Sequence, residues 1–166
     1  IPGLEPQRID TPVSLLAVPA PLTDMVGQTP VRPFEGRSLL PACHGEALAL
    51  VPIISEYHGE GIMRPSFMVR LGDWKYHYCH GSQPQLFNLV DDPGEWNNRA
   101  GDPSVSAIEA ELHHIITGGR FDLEQIHRDV WERLPLKQVV NAAMQANGTA
   151  WDYEPDSNAK TQYVRA

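Results

Sequence analysis

An α+β fold is expected, because the hydrophobic period changes once along the chain and two classes of element follow one another instead of alternating. Between residues 49 and 89, short runs of strand-forming residues are separated by Gly, Asp and Pro; from 102 to 146, apolar residues recur at three- and four-residue spacing. Residues 1–45 precede both and hold eight of the chain's 15 prolines. The expected architecture is a small antiparallel sheet of three to four strands packed with C-terminal helices. Residues 1–45 read as a proline-rich lead, 46–150 as the sheet and helices, and 151–166 as a docking tail.

Each element has its own local reason. In the lead, Leu15, Val18, Leu22 and Met25 recur at helical spacing, but Pro19 and Pro21 remove amide donors, so a short helix is expected from near Pro21 to Gly27. The run from Ala49 to Tyr57 reads as a strand that lies at an edge or begins after Pro52. Ser66–Leu71 and the residues from Trp74 to Cys79 flank Gly72-Asp73, a pair suited to a two-residue hairpin turn. Alternation places Trp74, Tyr76 and Tyr78 on one face of the second strand, and Lys75, His77 and Cys79 on the other. A further strand is expected from Gln85 to Leu89, ending at Asp91-Asp92-Pro93-Gly94. Asp102 can cap and Pro103 can open a helix with the stripe Val105, Ile108, Leu112 and Ile115, stopped by Gly118-Gly119. Asp122 with Gln125 resembles a capping box for a second helix carrying Ile126, Val130 and Leu134. Pro135 should break or kink it, and Val139, Val140, Ala143 and Met144 resume the pattern up to Asn147-Gly148.

The 166 residues carry 13 Lys and Arg against 21 Asp and Glu, a formal charge of −8, and 42% are hydrophobic. That fraction supports a buried core, and the acidic balance argues against a phosphate-dominated nucleic-acid surface. The longest apolar stretches fall short of the ~18 residues that a membrane-spanning helix needs. Two cysteines, Cys43 and Cys79, do not make a disulfide framework, and reduced thiols in a cytoplasmic protein are expected. The chain opens on Ile1 instead of Met and reads as a fragment or processed chain.

Self-contained catalytic motifs are absent: no nucleophile elbow, no phosphate-cradling loop, no His-Glu-x-x-His and no Cys-x-x-Cys occurs. His77, Cys79 and His80 are the nearest thing to a metal cluster, but no fourth ligand is evident. His113 and His114 point different ways on a helix and read as a solvated face. Glu56-Tyr57-His58-Gly59-Glu60-Gly61 stands apart, setting two carboxylates, an imidazole and a phenol beside glycines that let a backbone approach a ligand. A carboxylate with aromatic faces nearby can hold a cation by Coulomb and cation–π attraction.

Gly36-Arg37-Ser38-Leu39-Leu40, the Glu56–Gly61 segment, Met68-Val69-Arg70, Trp74-Lys75-Tyr76, the run from Gln85 to Leu89, and Asp92-Pro93-Gly94-Glu95-Trp96-Asn97-Asn98 follow one another in a set order. In order and spacing they resemble the C-terminal third of type I sulfatases, of the alkaline phosphatase-like superfamily. The Glu56–Gly61 segment, with Trp151-Asp152-Tyr153 and Tyr163-Val164-Arg165, resembles the choline-sulfatase branch. Pro19 and Pro21 depart from the family pattern of one proline between those positions. The resemblance implies the C-terminal subdomain of a sulfatase-like α/β hydrolase, with residues 1–45 packed on an N-terminal catalytic domain that holds a formylglycine and a divalent cation, Ca or Mg. Formylglycine forms in a Cys/Ser-x-Pro/Ala-x-Arg motif, and neither cysteine and no serine here has that context. No catalytic residue or metal ligand is therefore expected in this chain, which alone should be inactive. By the resemblance Glu56 faces the quaternary ammonium of a sulfate ester substrate, with Tyr57 and His58 as further substrate contacts, and Trp151 and Tyr153 lie in a tail crossing between subunits of a homo-oligomer. Two alternatives stand beside this: a stand-alone, non-catalytic binding or assembly module, and a phosphate or phosphonate ester hydrolase of the same superfamily.

Overall fold

Alternating side chains and one tight turn build the centre of the structure, a computed structural model that describes residues 8–59 and 62–149. Strands β1 (Ile53–Tyr57), β2 (Ser66–Leu71), β3 (Trp74–Cys79) and β4 (Gln85–Asn88) form one antiparallel sheet in the order β1-β2-β3-β4. β1 is an edge strand and starts directly after Pro52, so the proline's missing amide breaks no ladder bond. Leu71 pairs with Trp74 across the Gly72-Asp73 turn, and Gly72 sits at φ +56°, where a Cβ would be strained.

The register decides which face is buried. Ile54, Val69, Tyr76 and Leu86 lie in one cross-strand row, and Glu56, Phe67 and Tyr78 in the next. The aromatic face of β3 therefore turns inward, where Phe67, Val69, Tyr76 and Leu86 are buried with Leu112 and Ile116. The two latter residues belong to α3 (Ser106–Thr117). Asp102 caps its entry as expected, its carboxylate accepting from the Ser104 amide at 2.9 Å and the Ser104 hydroxyl at 2.7 Å. Pro103–Val105 form a 3-10 turn before the helix proper.

The expected stripe of Val105, Ile108, Leu112 and Ile115 packs on this core, and Ile116 joins it as a fully buried residue, because Ile108, Leu112 and Ile116 form the i±4 ridge that presses on the sheet. One expectation for α3 is corrected. His113 is no solvated residue: the Tyr76 hydroxyl is hydrogen-bonded to its Nδ1 at 2.9 Å, and its ring stands edge-on to Tyr78.

In the lead, α1 (Pro19–Met25) begins two residues earlier than expected. Both prolines fall within the first turn, where amides have no intrahelical acceptor, so neither costs a bond. Gly27, at φ +63°, ends it: the Gln28 amide donates to the Thr23 carbonyl at 3.0 Å and the Gly27 amide to Asp24 at 3.1 Å. A second short helix, α2 (Leu40–Cys43), carries Pro41 in its first turn and has no counterpart in the expected elements. The backbone of Gly36 lies against the Leu16 carbonyl with no room for a Cβ, which ties the two limbs of the lead together. Leu15 and Val31 are nonetheless 87% and 102% exposed.

α4 (Leu123–Ala146) starts as the sequence implies, with the Asp122 carboxylate accepting from the Gln125 amide at 2.9 Å. The expected break at Pro135 does not occur, and the helix is continuous through it. One missing amide removes one rung, while the strong helix formers Leu134, Leu136, Lys137 and Gln138 flank it. Within α4 the chain divides into two compact units, one running to His127 and the other starting at Arg128. Among the described residues no helix is long and apolar enough to cross a membrane.

Candidate functional site

Glu56 and His58 come together at the end of β1. Glu56 stands opposite Phe67 in the register, on the core-facing side of the sheet but at its edge, so its carboxylate stays 43% exposed. His58 Nε2 lies 3.2 Å from Glu56 Oε2, and the imidazole stands edge-on to Phe67 with ring centroids 5.1 Å apart. Its Nδ1 is buried without a hydrogen-bond partner among the described residues. Phe121 backs Phe67 at 4.8 Å, and the Arg120 guanidinium lies 5.5 Å from the Phe121 ring centroid. Tyr57 alternates to the other face of the strand, opposite Ser66, with its ring over Gly59. The structure thus joins Glu56 and His58 and separates Tyr57 from them. Trp151 and Tyr153 lie outside the described residues.

This arrangement is an anionic group held by an imidazole and backed by aromatic rings. A half-exposed carboxylate in such a setting can attract a cation and offers no activated nucleophile. Phe67 and Phe121 did not stand out in the sequence. Phe67 pairs with Glu56 only through the register, and Phe121 follows a Gly-Gly stop that says nothing about where the chain next touches the sheet.

His77 and His80 each have a partner of their own. His77 Nε2 is hydrogen-bonded to Ser66 Oγ at 3.0 Å, and His80 Nε2 to Glu124 Oε1 at 2.8 Å. Among the described residues no group of three or more His, Cys, Asp or Glu is placed to hold a metal ion.

The segment from Asp92 to Asn98 also acquires a physical role. The Asp92 carboxylate accepts from the Asn97 amide at 2.7 Å and the Trp96 amide at 3.1 Å, and these bonds hold it below the usual carboxylate range. Glu95 adopts a left-handed φ of +57° and reaches back to Lys75 Nζ at 2.7 Å. The Asn98 side chain accepts from the amides of Leu86 and Ala100 and donates to the Pro84 carbonyl. This segment ties the turn to β4, which makes it structural.

No family model matches the chain. Over 171 aligned positions it is 34% identical to choline-sulfatase of Rhizobium meliloti (strain 1021), covering 99% of this chain and 33% of that protein. The chain belongs to the sulfatase family. It corresponds to a C-terminal part of such proteins, and its α+β sheet and helices match their C-terminal subdomain. A Δ4,5-hexuronate-2-O-sulfatase of Bacteroides thetaiotaomicron is 34% identical over 117 residues, 65% of the chain and 24% of that sulfatase. Among solved structures, a 2-O GAG sulfatase superposes with TM-score 0.52 at 30% identity, over 69% of the chain and 25% of that sulfatase. The phosphonate monoester hydrolase of Silicibacter pomeroyi superposes with TM-score 0.58 at 25% identity, over 72% and 27%. The sulfatase segment described here thus spans about a third of the length of the choline-sulfatase and about a quarter of the others.

Proposed function

We propose that this chain is the C-terminal part of a sulfuric ester hydrolase that cleaves choline sulfate to choline and sulfate, and that it contributes substrate selection and subunit assembly, not bond cleavage. The observation that carries the reading is the alignment with a choline-sulfatase over 99% of the chain. The formylglycine and divalent cation would then belong to an N-terminal catalytic domain. When bound there, the cation stabilises charge on the sulfuryl oxygens. The exposed apolar residues of the lead, Leu15, Leu22, Val26 and Val31 among them, support a role as the surface on which that domain packs.

Within this reading Glu56 supplies negative charge to the trimethylammonium group. A quaternary ammonium has no proton to donate, so recognition rests on Coulomb attraction and on aromatic faces, and the half-exposed Glu56 carboxylate supplies the first. His58 orients the Glu56 carboxylate through its Nε2 contact. Tyr57, on the opposite face, would meet the substrate only through a different wall of the pocket. Trp151 and Tyr153 would dock on a neighbouring subunit of a homo-oligomer.

The test uses the intact parent protein with choline sulfate and an uncharged aryl sulfate as alternative substrates. Glu56→Gln should raise KM for choline sulfate roughly tenfold, about 1.4 kcal/mol of lost attraction in a partly solvated site, and leave aryl sulfate turnover nearly unchanged. Equal losses on both substrates would refute the assignment of Glu56. Failure of the parent to release sulfate from either would refute the activity itself. A phosphonate monoester is the third substrate to include, given the likeness to the Silicibacter pomeroyi hydrolase.

A further inference from the structure

β2 carries a guanidinium with no counter-charge among the strand residues of its own face. Alternation turns Phe67, Val69 and Leu71 toward α3 and puts Met68 and Arg70 on the opposite face of the sheet. There Arg70 stands between Ile53 of β1 and Lys75 of β3, in a row that ends at Phe87. Arg70 is half-buried, and its Nε is buried without a hydrogen-bond partner among the described residues. Lys75, directly opposite, is a second cation, but its Nζ donates to both carboxylate oxygens of Glu95, at 2.7 and 2.8 Å. That acid is thus occupied by Lys75. Among the strand residues on this face none is acidic, whereas Arg70, Lys75 and His77 are basic, in a chain whose formal charge is −8.

A buried N–H without an acceptor loses the hydrogen bond it made to water in the unfolded chain, and like charges opposite each other across two strands repel. An acceptor brought by another part of the protein would reverse both effects. A carboxylate fits best, because its two oxygens match the guanidinium fork and its charge offsets the surplus in the row. The chain spans only 33% of the choline-sulfatase it matches and corresponds to a C-terminal part of such proteins, so the larger part of a sulfatase lies outside these residues. We propose that this face of the sheet is an interface with the N-terminal part of the sulfatase, and that an Asp or Glu side chain of that part pairs with Arg70. Pairing with the planar fork is directional, so the contact fixes how the sheet is oriented on its partner. The inference rests on the chain being part of a longer sulfatase, and not on the substrate or on Glu56, which lies on the opposite face.

The experiment compares the intact parent with the 166-residue chain. Arg70→Met keeps a long unbranched side chain and removes the charge. In the parent it should lower the melting temperature by several degrees, because a carboxylate is left in the interface without its partner. In the 166-residue chain the same substitution should lower it by less than about 1 °C, or raise it, since only an unsatisfied donor and a like-charge contact are lost. The second measurement treats the parent carrying Arg70→Lys with a water-soluble carbodiimide, which joins an amine to a carboxylate in direct contact. Peptide mass spectrometry should find position 70 linked to an Asp or Glu outside the 166 residues, with the Lys75–Glu95 link as internal control. Equal melting shifts in parent and chain, a link from position 70 only to an acid within the 166 residues, or no link while Lys75–Glu95 forms would overturn the proposal. So would Arg70-dependent stabilisation by sodium sulfate that is the same in chain and parent, which marks the face as a seat for a free anion. If Arg70→Met prevents the parent from folding, the cross-link decides. None of these readouts measures turnover, so a wrong substrate leaves them unchanged.

Discussion

Replacing Leu112 by Ala tests whether the sheet depends on α3 for its cover. Leu112 is fully buried at the centre of the Ile108–Leu112–Ile116 ridge and packs in one cluster with Val69, Tyr76 and Leu86. The substitution deletes the equivalent of about three buried methylenes, worth about 0.8 kcal/mol each in transfer free energy, so the loss starts near 2.4 kcal/mol. The cavity left behind raises it to about 3–4 kcal/mol, because the rigid sheet on one side limits collapse. For a unit of this size the melting temperature should fall by roughly 10 °C or more. Urea denaturation followed by tryptophan fluorescence reads the change, since Trp74 packs against the same core. Leu15→Ala is the matched control: that side chain is exposed, and its loss should stay within about 0.5 kcal/mol. A Leu112→Ala loss below about 1 kcal/mol, or equal losses for the two leucines, would refute the view that α3 and the sheet form the chain's principal core.

Three further outcomes are expected. Tyr76 is shifted from 10.0 to about 12, chiefly by burial, so its contribution to stability is complete below pH 10 and is lost as pH rises through 12; Asp102 is lowered to about 2, chiefly by the Ser104 hydroxyl, so its contribution is present above 3.8 and lost as pH falls through 2. Tyrosinate absorbance in alkali and carboxylate NMR in acid measure these, and an alkaline limb identical in Tyr76→Phe would contradict the first. Gly36→Ala places a Cβ against the Leu16 carbonyl and should release the first limb of the lead without unfolding the sheet. Hydrogen exchange at the Ala17 and Val18 amides, which bond to the Ser14 and Leu15 carbonyls, should quicken while β2 and β3 amides stay protected; unchanged exchange at both would show that the close approach carries no load.

Local chemistry made much of this chain legible without coordinates. Gly72 at a positive φ, Asp102 and Asp122 as caps, and Pro52 just outside an edge strand each act within a few residues, so their consequences follow from stereochemistry and hydrogen bonding. The prolines show where such local reading stops. Pro19 and Pro21 were tolerated at a helix start and Pro135 inside a helix, because the cost of a missing amide depends on whether its acceptor would have been used. The candidate site divides along the same line. Glu56 and His58 were visible as residue types with a suggestive chemistry, but not as neighbours of Phe67 and Phe121, and Tyr57, one residue along, falls on the other face.

Alternation and residue type alone thus established an α+β chain with a hairpin at its centre, an acidic surface and no self-contained catalytic motif. Only the tertiary structure decided that the aromatic face of β3 turns inward under α3, that His113 serves Tyr76 rather than solvent, and that Glu109 reaches back to the Gly101 amide. The reason is physical: a strand's period says which side chains share a face, but which face is buried depends on partners far along the chain, and so do the contacts a carboxylate or an imidazole makes there.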